Sequence, residues 1–460
     1  MGRIVGIDLG TTYSAIGIPE ERSGEGFATF RKCPGCSIIL DNLKRRITPS
    51  VATEDDRGQI IIGYPAKARA GLLPEPIMFS KRRMGEDVTF PLAKHAPMLP
   101  EEVAAEVLRY LKSLAEKRLG ETVDEAVITV PAYFSLRAKQ MTKKAGELAG
   151  LNVLMILHEP VAAAMMYCIN DPRDPLRIMT YDLGGGTFDV AILEKRGRMI
   201  DETSLKAFDG DCFLGGYNFD KSLAWWLVDQ LCAKGYDLRF SRDLDSPAEK
   251  TAFAKLLVYA ERAKIELSQS EEHFIVDHNT GINDRSGNPV IIEQTISRAE
   301  FEDMIRESVD YTLEVCHRAM EEKADPPITP EEIDEIVMVG GSSRIPLVSR
   351  RLSEEFGKEP KLIEPDLCIA MGASLVAGTL PPPPVGNLRL DVIPSHSVLT
   401  SLTITGRLVP GEGLPDVKGS EVRLQAGDGS YDRRRVVQSS GGFAFESVPL
   451  VPNGTQDILI

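Results

Sequence analysis

The sequence predicts an α/β protein made of two duplicated lobes, followed by a small all-β domain. Residues 4–16 and 178–190 share one pattern: an apolar strand, an Asp-Leu-Gly turn rich in Gly and Thr, and a second strand. Asp8 and Asp182 begin the two turns 174 positions apart, which indicates a duplicated hairpin. Helices alternate with strands between and after the hairpins, whereas only short strands come after the proline tract at 381–384.

The elements of the lobes can be read from the spacing of their apolar residues. Apolar positions at helical spacing predict helices, and short apolar runs between turn residues predict strands. Gly120 marks a helix end, because glycine readily takes the left-handed conformation there. We expect helices at 100–120, 139–149, 218–234, 248–268 and 298–323, strands at 126–130, 153–157 and 335–339, and a β-rich stretch at 274–292.

The region after the lobes has a different character. Four short alternating strands, separated by Gly, Pro and Asp turns, indicate a small β-sandwich. These strands are expected at 401–406, 421–425, 434–438 and 442–445. Because the chain stops within another strand-like run, the expectation that this domain is truncated stays open. The predicted domains are 1–380 (lobes of about 1–172 and 173–380), a Pro-rich and hydrophobic linker at 381–400, and a sandwich at 401–460.

Composition and charge exclude several classes of function. The chain carries 53 basic and 68 acidic side chains, a formal net charge of −15, of which residues 388–460 contribute only −1. So acidic a surface disfavours nucleic-acid binding as the main activity. No run of about 20 residues is apolar and uncharged, so a membrane span is not expected. Seven scattered cysteines and the lack of a secretory leader favour a reducing cytoplasm.

The chemistry-bearing motifs are the two hairpins. The chain has neither G-x-x-x-x-G-K-[ST] nor a strand-bound G-x-G-x-x-G. Backbone N–H groups and Thr hydroxyls of a Gly/Thr turn can instead cradle phosphate oxygens. Carboxylates on two facing turns can hold a hydrated Mg²⁺ between them. One such hairpin alone would be an ordinary turn, but two in the same register favour a phosphate site.

Several motifs together resemble one known family. Residues 6–14 and 181–190 are similar to the two phosphate loops of the heat-shock protein 70 (DnaK-type) chaperones, and 340–346 is similar to their adenosine-side signature. The resemblance runs from about residue 3 to about 380, with the motifs in family order. It implies an actin-like ATPase fold with two ribonuclease-H-like lobes. Further matching motifs lie at 131–134, 159–164, 214–220 and 261–264.

The resemblance also implies roles for individual residues. Asp8 and Asp182 would organise Mg²⁺ through its water shell, and Lys67 would lie beside the γ-phosphate. Glu159 and Asp189 would position the attacking water, with Thr187 completing the catalytic set. The residues implied to bind ATP or ADP are Gly10, Thr11, Thr12, Tyr13, Gly184, Gly185, Gly186, Gly215, Gly216, Glu261, Lys264, Ser268, Gly340, Gly341, Ser342, Arg344 and Asp366.

Two regions depart from the family pattern. Cys33 and Cys36 lie in an insertion, where zinc is not expected because structural zinc needs four ligands and no second pair is near. An unliganded surface turn is favoured there over zinc or redox exchange. Residues 388–394 are similar to the family's interdomain linker, but the residues after 394 do not resemble its peptide-binding domain. The C-terminal strands are instead weakly similar to carboxypeptidase-regulatory or transthyretin-like sandwiches.

The sequence therefore favours a cytoplasmic, slowly ATP-hydrolysing chaperone-like switch whose C-terminal β-domain binds a protein client or partner. A J-domain co-chaperone and a nucleotide exchange factor are partners that the resemblance implies, whereas nucleic acid and membrane are not expected. The first alternative is a nucleotide-state sensor or scaffold without significant turnover. A second alternative is a relative of the sugar kinases or of filament-forming proteins, which motifs 159–164 and 214–220 disfavour.

Overall fold

The structure is a computed structural model in which the chain forms two compact units, residues 1–380 and 381–460. Cys33 and the proline tract lie outside the described residues, so the expectations for them are not addressed. The described residues are 3–20, 35–72, 75–168, 171–196, 200 and 202–380, together with the strands 388–394, 401–410, 421–426, 432–436, 442–449 and 458–459.

The first lobe of unit 1 is built on a sheet in the order β3-β2-β1-β7-β8, with β4 paired to β2. Strand β1 pairs antiparallel with β2 and parallel with β7, so the first hairpin lies in the middle of the sheet. Strands β5 and β6 form a separate hairpin. The strands are β1 Arg3–Asp8, β2 Tyr13–Pro19, β3 Cys36–Ile38, β4 Thr48–Pro49, β5 Ala52–Glu54, β6 Ile60–Ile62, β7 Val123–Val130 and β8 Asn152–His158.

Local sequence signals explain where the helices of this lobe begin and end. Gly120 ends the second of them at φ 70°, as its predicted role at the helix end requires. The third begins three residues before the predicted position 139, because the Ser135 hydroxyl accepts a hydrogen bond from the Ala138 N–H and starts the helix there. The helices are α1 Tyr64–Lys67, α2 Pro100–Leu119, α3 Leu136–Leu148 and α4 Glu159–Cys168.

The second lobe repeats this arrangement around a sheet in the order β11-β10-β9-β14-β15. Strands β9 and β10 form the second predicted hairpin, in which Asp182 faces Asp189 across the strand pair. Strands β12 and β13 form a separate pair around the predicted β-rich stretch. The strands are β9 Leu176–Leu183, β10 Phe188–Lys195, β11 Leu205–Asp211, β12 Glu272–Asp277, β13 Ile292–Ser297, β14 Glu335–Val339 and β15 Lys361–Leu362.

Five helices complete unit 1. The long helix α6 begins at an N-cap, Ser246, whose hydroxyl accepts from the Glu249 N–H. The predicted helix 298–323 ends its α-helical part at Arg318 and continues as a π turn over 319–323. The helices are α5 Gly216–Ala233, α6 Pro247–Leu267, α7 Arg298–Arg318, α8 Pro346–Phe356 and α9 Cys368–Thr379. No helix among the described residues is long and apolar enough to span a bilayer.

The last helix, α9, approaches β1 and α4 of the first lobe closely. A Cβ placed on Gly6 of β1 would lie 2.1 Å from the Ser374 backbone nitrogen. A Cβ on Gly372 would lie 2.0 Å from the carbonyl oxygen of Ala162 in α4. Small residues at these positions let the backbones approach closely, and α9 shares a hydrophobic cluster with strands of both lobes.

Unit 2 contains two three-stranded sheets, in the orders β16-β17-β20 and β19-β18-β21. Residues 388–394, which the sequence places in the linker, pair antiparallel with 404–410 as part of the first of these sheets. The packing of the two sheets into a sandwich stays a prediction. The strands are β16 Leu388–Pro394, β17 Ser401–Pro410, β18 Glu421–Ala426, β19 Asp432–Val436, β20 Gly442–Pro449 and β21 Ile458–Leu459.

Candidate functional site

A cleft of about 850 Å³ lies between the two hairpins of unit 1. Its walls come from both lobes and from elements adjoining each hairpin. Of the site residues predicted from the sequence, it brings together Asp8, Gly10, Thr11, Thr12, Tyr13, Lys67, Glu159, Asp182, Gly184, Gly185, Thr187, Glu261, Lys264, Ser268, Gly340, Gly341, Ser342, Arg344 and Asp366.

Four predicted residues do not line the cleft, but three of them support its walls. A Cβ on Gly215 would lie 2.6 Å from the Gly186 backbone nitrogen, so these two glycines let the second hairpin and the start of α5 touch. A Cβ on Gly216 would lie 2.4 Å from Ser342 Oγ. The fourth residue, Asp189, lines a smaller cavity behind the cleft.

The turns of the two hairpins are held in open, phosphate-sized loops by their own hydrogen bonds. In the first, the Gly10 N–H donates to Ser14 Oγ at 3.1 Å, and Ser50 Oγ donates to the Gly10 carbonyl at 2.7 Å. In the second, the Gly184 N–H donates to the Thr187 carbonyl at 3.0 Å. Thr12 Oγ1 is buried and has no hydrogen-bond partner among the described residues. Such an orphaned hydroxyl fits a ligand oxygen in the cleft.

Four buried carboxylates cluster where the hairpins meet, three of them in the cleft and Asp189 in the smaller cavity behind it. They belong to Asp8, Glu159, Asp182 and Asp189. Burial, and next the charge of Glu159, raise the pKa of Asp8 to about 7. Burial and Glu159 likewise raise the pKa values of Asp182 and Asp189 well above the ordinary range. A buried cluster of this kind is short of positive charge.

The cation inside this cluster is Lys81, which sequence reasoning missed. Its Nζ donates to Glu159 Oε1 at 2.5 Å, and both side chains are buried. The charge of Lys81 also lowers the pKa values of Asp8, Asp182 and Asp189, against the larger effect of burial. Lys81 therefore partly offsets the negative charge of the carboxylate cluster.

Lys67, which also lines the cleft, pairs with Glu261 and Tyr13, and its place beside the γ-phosphate stays a prediction. Its Nζ donates to both carboxylate oxygens of Glu261, each at 2.6 Å, and to the Tyr13 hydroxyl at 2.6 Å. The Tyr13 hydroxyl in turn donates to Glu261 Oε1 at 2.9 Å. Burial opposes ionisation of Glu261, but Lys67 overcomes it and lowers the pKa. Because Lys67 belongs to the first lobe and Glu261 to α6, this ion pair joins the two lobes.

One sequence signal could have separated the two lysines. Lys81 opens a run of three basic residues, Lys81-Arg82-Arg83, in a chain that is acidic overall. The run forms a 3₁₀ turn, Ser80–Arg83, that buries Lys81. The neighbouring Arg82 donates from its guanidinium to the Gly186 carbonyl, so the same turn also touches the second hairpin.

Another part of the cleft is built by α5, α6 and the 340–344 turn. Lys264 Nζ lies 2.8 Å from Asp220 Oδ1 and donates to the Gly216 carbonyl at 3.2 Å. Asp220, another residue missed from the sequence, is buried, which raises its pKa to about 6. Arg344 donates from Nε and Nη2 to Asp366 Oδ2, at 2.9 and 2.7 Å. These contacts hold a second group of polar side chains in the same cleft.

The carboxylate cluster fits a hydrated Mg²⁺ rather than a metal bound directly by protein. Among the described residues, no three His, Cys, Asp or Glu side chains converge to ligate one ion. Asp8 and Asp182 nevertheless lie on facing hairpins with raised pKa values, and one lysine serves four carboxylates. Carboxylates of this kind can bind Mg²⁺ through its waters, since the ion dehydrates reluctantly. Bound there, the ion would neutralise phosphate charge.

Behind the carboxylates lies a second cavity of about 10 Å³, room for about one water molecule. Tyr133, Glu159, Asp182 and Asp189 are among its lining residues. Asp189 Oδ1 is buried and lacks a hydrogen-bond partner in the described part of the chain. A carboxylate oxygen left in this state fits the binding of a water.

A model of one protein family matches this chain. The Hsp70 protein family model covers residues 89–422, or 334 of the 460 residues. The chain therefore belongs to the Hsp70 family, whose members bind ATP and are ATPases and chaperones in general. The match begins after the first hairpin and after Lys67 and Lys81, so the placement of Asp8 and of these two lysines rests on the geometry of the cleft.

Proposed function

We propose that the chain is a Mg²⁺-dependent, slowly hydrolysing ATPase that acts as a chaperone-like switch. The observation that carries this proposal is the floor of the cleft, where two Gly/Thr hairpins bring four carboxylates and Lys81 together. Phosphoryl transfer needs positioning and charge stabilisation more than covalent chemistry, and this arrangement offers both.

In this proposal Asp8 and Asp182 hold the ion, and Lys81 replaces Lys67 as the cation at the transferred phosphoryl group. A fixed, buried ammonium stabilises negative charge there more strongly than an exposed one. Glu159 and Asp189 position the attacking water and accept its proton, and Thr187 holds the second phosphate loop. Burial, and next the charge of Glu159, raise the pKa of Asp189, which suits its carboxylate to accept a proton.

The remaining predicted residues bind the nucleotide. Gly10 to Tyr13 and Gly184 to Gly186 surround the phosphates with backbone N–H groups and hydroxyls. The pocket of Lys264, Ser268 and Arg344 holds the nucleoside. Unit 2 is proposed to bind a protein client or partner, and a J-domain co-chaperone and a nucleotide exchange factor stay proposals that rest on family membership alone.

A second candidate is a nucleotide-state sensor without significant turnover. The observation that favours it is the direct pairing of Lys81 with Glu159, which engages two groups that hydrolysis needs. A sensor of this kind would bind ATP and change state without releasing phosphate.

A single-turnover assay with excess full-length protein and radiolabelled ATP tests the proposal. We expect Mg²⁺-dependent release of phosphate, a loss of release with EDTA, and a slowing of at least about 100-fold in Glu159→Gln with ATP affinity kept. Tight ATP binding with no Mg²⁺-dependent phosphate release by the wild-type chain would support the sensor. Equal hydrolysis by Glu159→Gln and wild type would contradict the assignment of the water-positioning group.

A further inference from the structure

The loop of the second hairpin is contacted from the first lobe by the 3₁₀ turn that also carries Lys81. The Arg82 guanidinium, from this turn, donates to the Gly186 carbonyl. A Cβ on Gly186 would lie 2.8 Å from Arg82 Nη2 and 3.2 Å from Phe79 Cδ1, so the two lobes touch at this glycine. The position of the second phosphate loop therefore depends on where the Arg82 guanidinium lies.

Hydrogen bonds alone do not satisfy the Arg82 guanidinium. Its Nε is buried and has no hydrogen-bond partner among the described residues. Burial also lowers the pKa of Arg82, because the charged form has lost part of its water. A desolvated guanidinium is attracted strongly to the faces of aromatic rings, and this attraction needs no hydrogen bond.

Aromatic rings from both lobes meet this guanidinium. Arg82 Cζ lies 4.5 Å from the ring centroid of Phe79, in the first lobe, and 5.5 Å from that of Phe213, in the second. The ring centroids of Phe79 and Tyr217, the latter in α5, are 4.9 Å apart. Arg82 therefore holds Gly186 through a hydrogen bond and is itself held by a ring of each lobe.

Phe213 is the ring of this group that the packing of the core does not explain. Its side chain is 69% exposed, so its removal would leave no cavity. Its backbone is fixed, because the Phe213 N–H donates to Asp211 Oδ1 at 2.7 Å in the turn between β11 and α5. An exposed aromatic ring on a fixed turn, beside a cation from the other lobe, is suited to orient that cation.

We propose that Phe213 is a positioning residue for ATP hydrolysis, whose ring holds the Arg82 guanidinium on the Gly186 carbonyl and so sets the second phosphate loop. Lys81 reaches Glu159 from the same 3₁₀ turn, so this contact also fixes the loop relative to Lys81. The inference rests on the proposed ATPase function. Phe213 does not line the cleft, so it acts through Arg82 rather than on the nucleotide.

Single-turnover hydrolysis of radiolabelled ATP by the full chain with Mg²⁺ separates this role from a structural one. We expect Phe213→Leu to slow phosphate release at saturating ATP by about 5- to 20-fold, with the dissociation constant for ATP within about 3-fold of wild type. Phe213→Tyr keeps the aromatic face and should stay within about 2-fold of the wild-type rate. Equal rates for Phe213→Leu and wild type would overturn the inference and leave the ATPase proposal intact. No hydrolysis by wild type would overturn both.

A matched control and a double variant complete the test. Phe274→Leu makes the same change at another exposed phenylalanine, on β12 and 54% exposed, and should keep the wild-type rate. Adding Phe213→Leu to Arg82→Gln should slow hydrolysis by less than about a further 2-fold, because both residues act through one contact. Equal slowing by Phe213→Leu and Phe213→Tyr, or effects of the two single substitutions that multiply in the double variant, would contradict the role of the Phe213 ring.

Discussion

Two lysine–glutamate pairs occupy the cleft, and they differ in burial and surroundings. Lys81 and Glu159 are 6% and 10% exposed and lie among three further carboxylates. Lys67 and Glu261 are 27% and 22% exposed and join the first lobe to α6. The N–O distances are nearly equal, at 2.5 and 2.6 Å.

Distance alone therefore does not distinguish these pairs, whereas their surroundings do. A buried ammonium among surplus carboxylates acts on every charge nearby, because few waters screen it. A partly exposed pair between two lobes is screened, and it contributes mainly to holding the lobes together. We infer a chemical role for Lys81 and a closing role for Lys67.

The largest effect expected from this comparison is on hydrolysis. Lys81→Gln should slow single-turnover ATP hydrolysis by about 100- to 1000-fold, because it removes the fixed charge at the phosphate end. Lys67→Gln, the matched variant of the other pair, should stay within about 5-fold of wild type. Rapid-quench measurement of phosphate at saturating ATP checks both rates. If Lys67→Gln instead lost the greater part of the activity, the two roles would have to be exchanged.

Some residues of the candidate site could be placed from the sequence, and others could not. The placement of Asp8 and Asp182 could be predicted, because each lies near the end of an apolar strand that leads into a Gly/Thr turn. Strand register alone sets Asp189 opposite Asp182. The basic run Lys81-Arg82-Arg83 is the local signal for Lys81, but it does not by itself show that this lysine reaches the floor of the cleft. That outcome depends on the long segment between β6 and α2.

The packing of α9 could not be predicted from the sequence either, because it too depends on a long-range contact. Its residues read as a helix, but only the close approach of Gly6 to the backbone at Ser374 decides that the helix packs on the first lobe. Such a contact joins positions more than 360 residues apart, and no periodicity encodes it. Local elements were predictable, whereas long-range packing and the partners of buried charges were not.

The next largest effect concerns the buried carboxyl group of Asp8, which lies in a cluster with more acidic than basic side chains. Asp8 has a pKa of about 7 in the folded chain against an ordinary value of 3.8, so the folded state holds a proton that the unfolded state releases. The stability that this proton supplies is full below the unfolded pKa and is lost as pH rises toward 7. The free energy of unfolding of Asp8→Asn should therefore rise, relative to that of wild type, by on the order of 2–3 kcal/mol between pH 4.5 and 7.5.

Urea unfolding in EDTA at pH 4.5, 6.0 and 7.5 measures this difference. Asp55→Asn is the control, because the Gln59 backbone N–H and other hydrogen bonds lower the pKa of Asp55 instead. Its stability difference from wild type should not grow over this range. A constant difference between Asp8→Asn and wild type would show that the Asp8 carboxyl is already ionised throughout.

A smaller effect is expected at the nucleoside end, where space rather than charge is tested. Gly216→Ala should weaken nucleotide binding by about 10- to 50-fold, because its Cβ would lie 2.4 Å from Ser342 Oγ and 2.9 Å from Lys264 Nζ. Isothermal titration with ATP measures the change. Ser222→Ala, further along the same helix, should leave the affinity unchanged, and equal affinities for Gly216→Ala and wild type would contradict the close approach.

The smallest expected effect concerns the ion pair of Lys67 and Glu261. Lys67→Gln should speed release of a fluorescent ADP by about 3- to 10-fold, because the pair joins the lobes across the cleft but is partly screened by water. Glu261→Gln should give a similar rate, and the double variant should add little, since either single change breaks the same ion pair. Stopped-flow release with excess unlabelled ADP measures all three rates. Higher salt should reduce the difference between the release rate of each variant and that of wild type. Strictly additive effects of the two substitutions would mean that Lys67 and Glu261 act on the nucleotide separately, and the contrast with Lys81 and Glu159 would then rest on burial alone.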